Sequence, residues 1–275
     1  MTTGWAKAGR LSPVWAAAAA AGVLLLALGG CANQQPQQAS AADIVTPSDE
    51  TETRRRARIR LELASGYFEE GKTEVALDEL KQVITIDPSY PDAYSLRGLI
   101  YMRLGDTRQA EDSFRRALTL NSRDSNVHHN LGWLQCQLGR FQDSFRSFEA
   151  AIANPVYGGR SKTLMALGLC QARAGQRPEA ERSLARAYEL DAGNPIIGYN
   201  LAQLLYLRGD YARAQFYIRR LNNSELANAE TLWLGVKVEH RMNDNVALEQ
   251  LADQLRKRFP QSRERAALDR RAFDE

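Results

Sequence analysis

The chain has 275 residues, 44% of them hydrophobic and 25% charged, which is enough to bury one sizeable core or a stack of smaller ones. The formal net charge is +3; Lys7 and Arg10 supply two of those positives, so the rest of the chain is nearly neutral. Nucleic acid, which calls for a concentrated basic field, is not among the expected partners.

Residues 1–30 read as a signal peptide. Lys7 and Arg10 give a positive start, and Val14 to Leu28 is a mostly apolar run rich in Ala and Leu. That run falls short of the roughly 20 apolar residues a membrane span needs. It ends in Leu28-Gly29-Gly30-Cys31, which resembles the bacterial lipobox, in which the cysteine thiol takes a diacylglycerol and becomes the new N-terminus. The resemblance implies lipidation of Cys31. Several acyl chains there would give a stable hold, where a single chain binds only marginally. Ala32 is not the aspartate that retains lipoproteins in the inner membrane, so the resemblance implies an outer-membrane anchor with the body facing the periplasm. An uncleaved anchor with a chance cysteine is the alternative. Residues 31–53 contain Gln, Ala, Ser and Pro without an apolar period and are expected to form a lipidated, flexible tether.

The folded domain is expected over 54–275. It opens on Arg54, Arg55, Arg56, Arg58 and Arg60, either a solvated helix face or a contact for anionic headgroups. From residue 57 the chain repeats itself in units of about 57–90, 91–124, 125–160, 161–194, 195–228 and 229–262. The period is 34 residues, apart from a two-residue excess around Pro155-Val156-Tyr157-Gly158-Gly159. Small residues recur at the eighth position of each first helix (Ala64, Gly98, Gly132, Gly168, Ala202) and at the twentieth (Ala76, Ala110, Ser144, Ala180, Ala214), where two backbones must cross closely. Phe114 and Phe148 at the twenty-fourth position fill the space between neighbouring helices. Gly71, Gly105, Gly139, Gly175 and Gly209 end the first helix of each unit, where a left-handed cap favours a residue without Cβ. Asp87-Pro88 stops a second helix. The sixth unit, with Leu234-Gly235, Ala247, Leu251 and Pro260, is degenerate.

This pattern is that of the tetratricopeptide repeat. It predicts an all-α chain of about twelve helices in a right-handed superhelix, or solenoid, of about six repeats with a concave side. Cys136 and Cys170 fall in helices of different repeats. An oxidising compartment permits a disulfide, but such helices seldom bring two side chains to bridging distance, so two buried thiols are the expectation.

No catalytic residue is expected. His128-His129 point about 100° apart on a helix, and the i, i+4 partner that zinc-binding helices use is Gly132, so no metal site is expected either. Gly-rich phosphate loops and nucleophile elbows are absent from the sequence, which predicts no cofactor and no small-molecule substrate. The informative surface is the concave one, lined in this repeat type by positions two, five, nine and twelve of each first helix. Those positions carry Leu61, Phe68, Leu99, Met102, His129, Trp133, Cys136, Met165, Leu169, Tyr199 and Tyr206. Leu99, Trp133 and Leu169 stand where a carboxylate clamp would need polar residues. An apolar strip with aromatic and Met edges suits an amphipathic helix of a partner protein. The alternative is that these side chains thicken the core or meet the chain's own terminal helix.

A lipobox cysteine, a short tether and six such repeats resemble the pilotins, the lipoproteins of type IV pilus biogenesis and stability. The stretch Asp87-Pro88-Ser89-Tyr90-Pro91-Asp92-Ala93-Tyr94 is similar, as are Asn130-Leu131-Gly132-Trp133-Leu134 with Cys136, and Asn154-Pro155 with Tyr157. The resemblance implies an outer-membrane lipoprotein that binds secretin subunits of the type IV pilus and promotes their localisation and assembly into a ring. A periplasmic repeat scaffold for envelope synthesis or outer-membrane protein assembly is the competing expectation, and an accessory domain of an enzyme complex the third.

Overall fold

The structure, a computed structural model, describes residues 50–274. The expected signal peptide, Cys31 and most of the expected tether lie outside the described residues. Among the described residues the chain is all helical. Six antiparallel pairs follow one another: α1 (Glu52–Glu69) with α2 (Thr73–Ile86), α3 (Pro91–Leu104) with α4 (Thr107–Leu120), and α5 (Ser125–Gln137) with α6 (Phe141–Ile152). Then come α7 (Arg160–Arg173) with α8 (Arg177–Leu190), α9 (Pro195–Arg208) with α10 (Tyr211–Asn222), and α11 (Ala229–Met242) with α12 (Asn245–Arg258). A short α13 (Arg263–Asp269) closes the stack.

Side-chain caps set many helix starts. Thr51, Asp106, Asp124, Asn194, Asp210, Asn228, Asp244 and Ser262 accept from first-turn N–H groups that have no partner inside the helix. The turn within each pair relies on left-handed backbone at Gly71, Gly105, Gly139, Gly175 and Gly209, as the sequence predicts. In the degenerate sixth pair Asn243 takes the same conformation, at φ 59°; Asn tolerates it better than most residues. The close crossings are equally demanding. A Cβ on Gly98 would stand 2.5 Å from the Phe114 ring, and one on Gly132 2.9 Å from Phe148. Both rings are fully buried.

The core runs along the stack without a central hub. Ala76, Leu80 and Val83 fill the first pair, Phe114 and Leu134 the second-to-third junction, and Leu184, Leu201 and Ile218 the fourth-to-fifth. The two-residue excess is absorbed in the loop before α7, where Asn154 Oδ1 accepts from Val156 N–H at 3.1 Å. The basic start is an ion-paired face. Arg54 meets Asp87 at 2.7 Å and lies 4.3 Å over the Tyr90 ring. Arg60 meets Glu79 at 2.7 Å, Arg58 meets Glu62 at 2.9 Å, and Arg55 meets Glu52.

One expectation is overturned. Cys136 and Cys170 form a disulfide, with Cα atoms 5.9 Å apart and both residues buried. Successive first helices run side by side in the stack, so α5 and α7 bring cysteines of different repeats together. Cys136 is therefore part of the core and not of the concave strip. Ser144, in the small-residue slot, donates to Gly132 O at 2.7 Å and packs 3.4 Å from Cys170 Sγ.

Candidate functional site

Consecutive first helices touch one another, α1 with α3, α3 with α5, α5 with α7 and α9 with α11, so they line the inside of the curve. With Cys136 in the core, nine of the remaining ten residues expected on that strip are half-buried: Leu61, Phe68, Leu99, Met102, Trp133, Met165, Leu169, Tyr199 and Tyr206. Each leaves part of its surface to solvent. The tenth, His129, does not belong to the strip. It is 7% exposed, its ring is tilted against Phe148 with centroids 5.7 Å apart, and its Nδ1 lies 2.9 Å from Thr163 Oγ1. Burial, with Lys162 adding repulsion, lowers its pKa to about 4, so the ring is neutral and offers no charge to a partner.

The aromatic residues of the strip carry cations. Arg103 lies 3.7 Å over the Phe68 ring and donates to Phe68 O at 2.7 Å. Arg173 lies 5.7 Å over Trp133. Lys237, its pKa lowered by burial, lies 5.5 Å from the Tyr206 ring centre and 5.8 Å from that of Trp233. A guanidinium or ammonium over a ring face is attracted by the ring quadrupole.

The last third of the inner face is partly covered from within. In the sixth pair, positions two, five, nine and twelve are Glu230, Trp233, Lys237 and His240, which the sequence did not single out. Beyond α13, Arg271 adopts left-handed backbone at φ 57° and turns the tail back over α11. The Phe273 ring stacks on His240 at 4.2 Å and on Trp233 at 5.7 Å. Tyr206 Oη donates to Phe273 O at 3.3 Å, and Arg241 pairs with Asp274. Tyr199 borders a recess of about 370 Å³ together with Glu230, Arg263 and Glu264. Burial, reinforced by those two carboxylates, raises its phenol pKa. Tyr199 and Tyr206 thus face the chain's own terminal segment, as the alternative reading of the strip foresaw. The apolar residues Leu268 and Phe273, lying past the sixth repeat, were the available signal for this docking.

Among the described residues, no group of three or more His, Cys, Asp or Glu is placed to hold a metal ion, and no helix is long and apolar enough to cross a membrane.

Comparison with known proteins agrees with this architecture. Family models described as TPR repeat or tetratricopeptide repeat match residues 65–105, 91–124, 129–195 and 165–221. The chain belongs to the tetratricopeptide-repeat proteins. Within that class it is related to proteins of type IV pilus biogenesis. It is 28% identical to the type IV pilus assembly protein PilF of Pseudomonas aeruginosa over 74% of this chain and 81% of that one. The solved structure of Pseudomonas aeruginosa PilF shares the fold, with a TM-score of 0.72 at 24% identity over 80% of this chain and 100% of that one. The crystal structure of PilW, described as a widely conserved type IV pilus biogenesis factor, aligns with a TM-score of 0.67 at 27% identity over 78% of this chain and 98% of that one.

Proposed function

We propose that the chain is a type IV pilus pilotin: an outer-membrane lipoprotein, anchored through acyl chains on Cys31, that captures secretin subunits and promotes their assembly at that membrane. The observation that carries this reading is the likeness to the pilus assembly protein PilF over most of both chains. The half-buried strip from Phe68 through Leu99, Met102 and Trp133 to Leu169 supplies a binding surface of the right character. Half-exposed aromatic and Met side chains in a fixed groove lose little conformational freedom on binding and bury much apolar area. The activity proposed is binding and delivery.

Deleting the gene and following secretin multimers on a gel is the direct test; multimers are expected to be lost or mislocalised, and unchanged rings at the outer membrane would end the pilotin reading. At residue level, Trp133→Ala or Leu99→Asp should lower secretin capture at least tenfold with helicity by circular dichroism intact. Cys31→Ala should release the folded body from membranes.

A further inference from the structure

The charge along the inner face is asymmetric. On the edge near the start of the first helices, position two carries Arg58, Asp92, Lys162 and Glu230, which alternate in sign and cancel. On the opposite edge, position thirteen carries Arg103, Arg173 and Arg241, with Glu69 as the acid among them, and Lys237 lies one turn back. Arg103 and Arg173 are exposed. Neither forms an ion pair with a carboxylate among the described residues. Each lies instead on an aromatic ring of the strip, Phe68 and Trp133 respectively. The third arginine of that edge holds an acid. Arg241 holds the Asp274 carboxylate, while the adjacent Phe273 ring lies on Trp233 and His240. The chain's own tail therefore covers the sixth-repeat end of that edge with an aromatic residue followed by an acid, whereas Arg103 and Arg173 pair with no carboxylate among the described residues.

We infer that the inner face selects an acidic amphipathic segment of a partner protein, with apolar side chains on the Leu99–Trp133–Leu169 strip and carboxylates along one edge on Arg103 and Arg173. This rests on the groove reading above and adds the partner's charge pattern to it. A carboxylate over an arginine already held on an aromatic ring gains a charge-assisted hydrogen bond at a preorganised donor. A basic segment would meet like charge on that edge and be rejected.

Two synthetic helical peptides sharing one Leu/Phe face test the assignment, one with Glu along an edge and the other with Lys in the same places. Binding to the purified chain is measured by fluorescence anisotropy. The Glu peptide is expected to bind at least tenfold tighter at low salt, with the advantage shrinking as salt screens the exposed charges. The Arg103→Glu, Arg173→Glu double variant, checked for native helicity by circular dichroism, is expected to reverse the preference. If the Lys peptide binds as tightly as the Glu peptide while Leu99→Asp abolishes both, the charge assignment falls and the groove stands. If neither peptide binds, or if Leu99→Asp changes nothing, the groove reading falls with it.

Discussion

His129 shows how one position can obey the repeat and still depart from the surface role the repeat suggests. It occupies position five of α5, yet Thr163 of the next first helix takes its Nδ1 and Phe148 its face. The two-residue excess before α7 was visible in the sequence, but its effect on which side chains meet across α5 and α7 was not. The neutral ring has a pH consequence. Its folded pKa is about 4, below the ordinary unfolded value of about 6.5, so the unfolded chain takes up a proton first as pH falls. This contribution to stability is therefore fully present above about pH 6.5, declines toward pH 4 and levels off below it, losing up to about 3 kcal/mol in total. Urea unfolding of the chain and of His129→Gln between pH 7 and pH 4 isolates this contribution from the carboxylates. The variant should lose less stability over that interval, and equal losses would mean that His129 is not held neutral.

At the level of helices, the pairs, their turns and the small-residue crossings were legible because each leaves a local mark. Gly98 must be small under Phe114, and Gly105 must be left-handed after α3. The Cys136–Cys170 bond was not legible, because its two halves belong to different repeats and the sequence gives positions within a repeat far more plainly than the pairing between repeats. Separated by 34 residues, the cysteines close a loop whose cross-link lowers the entropy of the unfolded chain by an amount worth about 4 kcal/mol. The Cys136→Ser, Cys170→Ser double variant should lose about 3–4 kcal/mol of unfolding free energy in urea while retaining its helicity. A change below about 1 kcal/mol would show that the reduced helices hold the same register unaided.

Across the whole stack, each pair leans on its neighbours, so stability adds up from pair and junction terms along a line. The middle has two neighbours and a covalent link; the first pair has one neighbour. Glu239, fully buried in α11, is gripped by Arg219 at 2.7 and 3.0 Å and by Gln215 at 2.7 Å, and so ties the fifth pair to the sixth. Amide hydrogen exchange should therefore be slowest in α5 to α8, with α1 and α2 opening first. Uniform protection along the chain would indicate a single cooperative unit. The candidate strip was readable for α1 to α9 because its positions follow from the period. The cover over α11 was not, since the tail lies beyond the repeats and obeys no period.

The same sulfur–sulfur link encloses the loop before α7, where Val156 stands 86% exposed. A protease that severs the backbone there produces two fragments by sequence but a single particle by mass. The repeats on either side of the cut stay moored to each other, and only a reductant lets them drift apart.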